Sequence, residues 1–554
     1  MPPLLSCDDV RREINNRTID RIAALRARPL VRIWDKDWSN GLGEWKPVAI
    51  VHGEILGDFE EKLHDTGEGK LNLLSSHRLR DWLIDELDEA ADVHITVDIP
   101  GWRWHGKALT IEEVQEEDGL EFVAMTFLHS REHAKKLICF PNPFLPAITQ
   151  WPKYFNWAGS AKTGIATLMM LNFIRRYGII GKLTDNLFQP GTWAESINPA
   201  NWPQIVNPRG LGLGDTSMFT QFTARMGNLH DVILPALKDT GIQLKCDLFL
   251  PGEDEQPCPE WFTLTRPTLV WSLVDKSGVR GPTGTVFDGL LKLVAQVAQD
   301  GFSDVVTEAP IGGAPEEYGR PGWFGTVAEW PWVSWRNSMR YAKERGTGMS
   351  GVKTWRMVVH KALAGAIVTG GKSPAWINAA TKLLLNAALG YLGAIIGNPG
   401  LALGIFDKQV EDVILAFQRV THAIRQALMG SRFAYGEHWE PSANGFSTST
   451  LAAIRMGMWA TRAYTSFKVK VVNGAPYWVG RHFTLGDRVS AEIGRSRRLY
   501  VDQVHALRYA WSRSKDPDFE ISIGDDSEEE APTARLGRFV ERFKAQLQTI
   551  GVDS

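Results

Sequence analysis

The sequence predicts a multidomain α+β protein: small antiparallel β-barrel or sandwich domains, a mainly helical apolar insert and a C-terminal amphipathic helix. Three observations lead there. At 554 residues the chain is too long for one hydrophobic core, and about three or four domains are expected. Period-two alternation of apolar and polar residues, broken by turn residues, recurs near both ends of the chain. Between those ends the apolar spacing changes to three and four residues, the period of a helix.

The elements follow in order. Residues 8–27 carry a short helical pattern, with Val10, Ile14 and Leu25 set among charges. LVRIWDKDW (30–38) alternates like a strand and ends in the turn SNG (39–41). Strand texture continues in WKPVAIVHGEIL, HITVDI (94–99), GWRWHGKALTIEEV and EFVAMTFLHS, with EEDG (116–119) as a turn. These segments define an N-terminal antiparallel β domain over residues 1–135.

ICFPNPFLPAITQWPKYFNWAG (138–159) comes next. Its four prolines exclude a regular helix or a central strand, so it reads as an extended, packed crossover. GIATLMMLNFIRRYG is helical by spacing. A mixed α/β domain over 136–310 then adds the amphipathic MGNLHDVILPALKDTG, the strand IQLKCDLFL and a helix at VFDGLLKLVAQVAQDG. Glycine, proline and tryptophan dominate 311–350, a linker, and 352–428 reads as helical, which makes 311–464 a linker plus an apolar insert. The β texture returns in FKVKVVNGAPYWVGRHFTLGDRVSAEI (467–493), read as two alternating runs around an NG turn, within a β segment at 465–524. Residues 525–554 hold the acidic spacer DDSEEE and a helix whose Leu536, Phe539, Val540, Phe543, Leu547 and Ile550 share one face.

Within the insert, LLLNAALGYLGAIIGNPGLALGIF (383–406) has no charged residue. An unbroken helix of that length would reach about 36 Å, enough for a bilayer core of about 30 Å. Asn398-Pro399-Gly400 divides it, so neither piece spans alone. The expectation is a packed helical hairpin, in which Gly and Ala allow close backbone approach; the second reading is a released, membrane-inserting segment, whose glycine spacing (Gly390, Gly393, Gly397, Gly400, Gly404) loosely resembles fusion-type peptides.

Composition narrows the chemistry. A formal net charge of −3 gives no global reason to bind nucleic acid or an acidic membrane surface. The 22 tryptophans read mainly as large core fillers, with sugar stacking as the alternative. Cys7, Cys139, Cys246 and Cys258 stand far apart and form no CxxC pair, so neither a zinc site nor a disulfide framework is expected. The N-terminus MPPLLSCDDVRREINN lacks a basic-then-apolar export signal, which suggests synthesis in a cytoplasm without secretion by that route.

Four motifs bear on catalysis. HSREH (129–133) spells an inverted zinc-peptidase pattern, with His129 and His133 as ligands, Glu132 as base and Glu195 as a nominal third ligand. Its place at the end of a strand-like run favours a solvated turn or helix start. GSAKTG (159–164) lacks the glycines of a phosphate loop, since Ala161 and Asn156 occupy their places. GLGLGDTS (210–217) reads as a loop. GEHWE (436–440) offers Glu437, His438 and Glu440, but sequence adjacency does not set a glycosidase separation. No enzyme, catalytic residue, cofactor or metal is expected.

The order of features resembles the minor tail proteins of long-tailed phages that infect actinobacteria, a tail-tip or baseplate-hub-like family. LVRIWDKDW, the PNPFLPAITQWPKYF connector leading to NFIRR (172–176), DVILAFQRV (412–420) followed by FAYGEHWE, and LGDRV (485–489) carry the resemblance. It implies hub-like β domains around an axis, a homotrimer, and contacts with the distal tail protein, the tape-measure protein and other minor tail proteins. It also implies a place in the virion, at the tail tip, with a role in host attachment and genome delivery and transient host-membrane contact through 383–406. In such a fold the 465–524 segment would complete the N-terminal domain, with Gly486 in a tight turn and Asp487 hydrogen-bonding it. A tail-associated cell-envelope hydrolase or a glycan-binding receptor protein is the competing reading.

Overall fold

The alternation in the first 130 residues becomes a run of antiparallel strands in a computed structural model of the chain. The structure describes residues 27–37, 44–179 apart from 89, 90 and 118, 196–292 apart from 290, 308–310, 325–336, 351–370, 417–421, 423–430, 436–440, 463–494 apart from 475, and 498–524, with a few isolated positions between. The expected N-terminal helix, the 383–406 stretch and the expected C-terminal amphipathic helix lie outside the described residues, apart from isolated positions. Among the described residues no helix is long and apolar enough to cross a membrane.

Strands β1 (Leu30–Asp37), β2 (Glu44–Val51), β3 (Leu56–Lys62), β4 (Glu68–Leu74), β5 (His94–Ile99), β6 (Trp102–Gln115) and β7 (Glu121–His129) form a sheet in the order β2-β1-β5-β6-β7-β4-β3. The sheet continues past β3. Strand Arg498–Ser512 pairs antiparallel with β3, and Asp518–Ile523, Tyr464–Val472 and Val352–His360 follow in turn. Segments more than 400 residues apart in sequence thus hydrogen-bond as neighbours, with Phe59 opposite Tyr509 and Gly57 opposite Trp511.

One hydrophobic core serves both ends of the chain. Ile33, Phe59, Leu71, Ile95, Val97, Trp104 and Phe127 pack with Val469, Leu507, Tyr509, Trp511, Ile521 and Ile523. Phe59 lies between Trp104 and Trp511, with ring centroids 4.9 and 5.6 Å away. Gly57 makes room for this stack, because a Cβ there would lie 2.2 Å from the Trp511 ring. The Trp511 indole N–H donates to Glu54 at 2.8 Å, so the buried ring leaves no orphan donor.

A middle lobe follows the proline connector. Strand β8 (Phe155–Ser160) runs directly into helix Ala161–Tyr177, and β8 pairs with β10 (Phe219–Ala224). Helix Leu229–Thr240 leads through Gly241, in a left-handed conformation at φ 67°, into β11 (Ile242–Phe249). β11 pairs antiparallel with β12 (Thr268–Asp275), which takes the short β9 (Gln204–Val206) in parallel. The helices bury Ile165, Leu168, Met169, Phe173, Ile233 and Leu237 in a second core.

Three expectations need correction. Residues 352–428 are not helical where described: Val352–His360, Ala366–Gly370 and Phe417–Thr421 are strands, and only Ala423–Met429 is helical. Their valines and threonines suit a pleated surface, and cross-strand partners, which a period count does not see, decided the outcome. The NG turn does not join a hairpin either. Tyr464–Val472 pairs with Val352–His360 and Asp518–Ile523, whereas Arg488–Glu492 pairs with Arg498–Ser512. Asn473 instead accepts the Val479 N–H at 3.0 Å and folds the intervening chain into an irregular excursion. Finally, HSREH does begin a short helix, but a buried one rather than a solvated one.

Candidate functional site: the seam between the large sheet and the middle lobe

Alternation on β1, β5 and β6 sends successive side chains to opposite faces. Val31, Ile33, Ile95, Val97 and Trp104 enter the large core. The intervening residues Arg32, Trp34, His94, Thr96, Asp98, Arg103 and His105 face the other way, and the strand registers set them side by side. Such a polar face normally meets water. Here Thr96 is 0% and His105 1% exposed, because the middle lobe covers it. Burial obliges each polar group to find a partner.

The partners form a charged clamp. Arg32 donates to Asp98 at 2.8 Å and, through both terminal nitrogens, to Glu253 at 2.6 and 3.0 Å. Arg103 donates to Asp98, to Asp254 and to the Leu248 carbonyl at 3.1 Å. Asp254 also accepts the Leu250 N–H at 2.8 Å, fixing the loop that carries it. Burial opposes the charge on both arginines, but the carboxylates hold their pKa above the usual arginine value. Beside the clamp, the Trp34 indole donates to Thr96 at 3.0 Å, and Trp45 stacks on His94 with centroids 4.0 Å apart.

Histidines fill the middle of the seam. His105 Nε2 donates to the Cys246 carbonyl of β11 at 3.0 Å, with Ser130 Oγ 2.8 Å from its Nδ1. His129 lies against His105 and Trp104, and its Nδ1 accepts the Arg131 N–H at 3.2 Å. Burial drives the histidine pKa values down, to about 4 for His105, about 3 for His94 and well below the usual value for His129. These rings are therefore neutral at pH 7. HSREH is thus part of a structural seam: Glu132 accepts from Thr66 Oγ1 at 2.7 Å, and Glu195 lies outside the described residues.

LGDRV forms a second joint. Gly486 adopts φ 80°, a region that favours glycine, and its N–H donates to the Val504 carbonyl at 2.9 Å. Asp487 accepts the Thr484 N–H at 2.6 Å and reaches Lys276 Nζ at the end of β12 at 2.5 Å. Gln503 Nε2 donates to the Lys276 carbonyl at 3.2 Å. The motif therefore ties the C-terminal strands to the middle lobe.

The two glycine-rich motifs meet in the structure. GSAKTG is the strand-to-helix junction, and GLGLGDTS supplies its cap. Asp215 accepts from the Thr163 N–H at 2.8 Å and from its hydroxyl at 2.6 Å, while Ser217 Oγ accepts the Lys162 N–H at 3.1 Å. Backbone donors that a phosphate would need are thereby occupied, one by a fixed carboxylate and one by a hydroxyl. GEHWE is the strand Glu437–Glu440, with Glu437 paired to Arg419; the Glu440 side chain is outside the described residues. Cys139, Cys246 and Cys258 are free and buried, and burial pushes the Cys139 thiol up to about 12. Among the described residues no group of His, Cys, Asp or Glu converges as metal ligands.

Among the described residues, the buried polar groups of the seam join the large sheet to the middle lobe. The sequence pattern of the Siphovirus ReqiPepy6 Gp37-like protein family matches residues 30–525, and the chain belongs to that family. It is homologous over nearly its full length to the minor tail protein Gp28 of Mycobacterium phage L5, at 27% identity over 92% of this chain and 94% of that one. The Gp28 minor tail protein of Mycobacterium phage D29 is 25% identical over 98% of both chains. Among solved structures, the 43 kDa tail protein of prophage MuSo2 from Shewanella oneidensis aligns with 91% of this chain and 99% of that one, at 10% identity and a TM-score of 0.38.

Proposed function

We propose that the chain is a structural minor tail protein of a siphophage virion. In this reading it is a hub-like component of the tail tip that closes or organises the distal tail tube and takes part in host attachment and genome delivery. The observation that carries the reading is the near-full-length homology to mycobacteriophage minor tail proteins. The architecture supports it. A sheet assembled from both ends of the chain and a lobe held by a buried polar seam suit a part that must keep its shape under load.

Residues 1–135 and 465–524 are read as one discontinuous domain, on the evidence of the pairing between β3 and Arg498–Ser512. Three copies around the tail axis, contacting the distal tail protein, the tape-measure protein and other minor tail proteins, complete the proposal. Transient contact with the host membrane is assigned to 383–406. A hydrolase using Glu437 has less support, since that carboxylate is engaged by Arg419. A density map of the intact virion tests the reading: copies ringing the tail axis at its distal end are expected, and peripheral copies or absence from the virion would overturn it.

A further inference from the structure

Several buried polar atoms in and beside the seam lack a partner among the described residues, Arg32 Nε and His94 Nδ1 among them, but Arg131 differs in being a cation that no described carboxylate contacts. Arg131, in the turn after β7, is 3% exposed. Among the described residues its Nε and Nη2 have no hydrogen-bond partner, and its Nη1 donates only to His230 Nδ1, at 3.4 Å. Nearby carboxylates are committed elsewhere. Asp65 pairs with Lys135, and Glu132 accepts from Thr66. Burial raises the pKa of Glu61, which accepts the Trp102 indole N–H. On β11 the Cys246 thiol is kept protonated by burial. A cation thus sits in the seam without a contacting counter-charge, a costly arrangement.

We propose that Arg131 and His230 form an acid-triggered release, in which protonation of His230 sets a second cation against the buried guanidinium and parts the turn after β7 from helix Leu229–Thr240. Geometry makes the contact depend on protonation state. His230 accepts through Nδ1, so the proton that would charge the ring must enter where the Arg131 N–H already points. The groups facing His230 from neighbouring elements are Arg131, Lys135 and His64, with Asp65 and Asp231 opposing them. Burial and Arg131 both lower the His230 pKa, as they do for His64, which falls to about 3. Once parted, His230 regains an ordinary affinity near pH 6.5, so acid favours the open seam.

Hydrogen exchange on the full chain at about pH 7.5, 6 and 5 tests this. After correction for intrinsic rates, amides in Ser130–Lys136 and Leu229–Thr240 are expected to lose about tenfold more protection by pH 5 than those of β4 and β7, which follow the stability of the whole fold. H230Q retains an acceptor toward Arg131 without titrating, and shifts the opening midpoint to lower pH by about half a unit or more. R131M moves it in the same direction. Unchanged seam protection, loss in step with β4 and β7, or an H230Q midpoint equal to that of the parent would overturn the proposal. If R131M fails to fold, H230Q decides.

Discussion

At the scale of single residues, the informative side chains are the ones whose polarity suggested solvent. Asp215 caps helix Ala161–Tyr177 through Thr163 and also accepts the Ser217 N–H at 2.9 Å. Asp215→Ala is expected to cost about 1–3 kcal/mol, since it strands buried donors as well as losing a cap. Urea denaturation checks it, and a midpoint within error of the parent would count against the cap. Arg103→Ala should cost about 2–4 kcal/mol by leaving Asp254 partly buried without its cation and Asp98 with Arg32 alone. A double-mutant cycle with Asp254→Asn measures the coupling, and additive effects would show that the clamp contributes nothing. Neither role was legible in the sequence. Glycine loops and alternating polar positions look alike whether they meet water or a second lobe. The one available signal was that the polar positions of β1, β5 and β6 hold His, Arg, Thr and Trp more than Lys or Glu.

At the scale of elements, periodicity served best where an element is defined by its own residues. HITVDI, GWRWHGKALTIEEV and IQLKCDLF form strands as the pattern reads, and GIATLMMLNFIRRYG lies in a helix that begins three residues earlier, at Ala161. It failed where pairing decides, as in Val352–His360, whose strand conformation depends on Tyr464–Val472 more than a hundred residues away. It also missed β3 and β4, whose glycines Gly57 and Gly69 weaken the strand signal yet make room for Trp511, Phe59 and Trp104. Gly57→Ala tests that explanation. The added methyl collides with the Trp511 ring and is expected to destabilise by about 1–3 kcal/mol or more, with loss of near-ultraviolet circular dichroism from the displaced stack. A neutral effect would mean that the ring is free to move.

At the scale of the whole molecule, the buried histidines couple stability to pH. His94, His105 and His129 are neutral in the folded chain, with pKa values of about 3, about 4 and well below 6.5, and regain ordinary values when unfolded. Below about pH 6.5 the unfolded chain takes up protons that the folded chain refuses. Stability is therefore full above that pH and falls as pH drops toward 4. By pH 5 His94 and His105 each contribute a loss of about 2 kcal/mol, a sizeable part of a typical stability of about 5–15 kcal/mol, and His129 acts in the same direction. Urea midpoints at pH 7 and 5 measure this, and equal midpoints would refute it. By itself the sequence determined the family, the strand character of the chain's ends and the local helices, because each depends on nearby residues and their order. Only the tertiary structure decided that the two ends share one sheet and core, that a polar sheet face is buried beneath a second lobe, and that LGDRV grips that lobe. Those outcomes depend on which surfaces meet, and a surface's partner is not encoded in the period of its own residues.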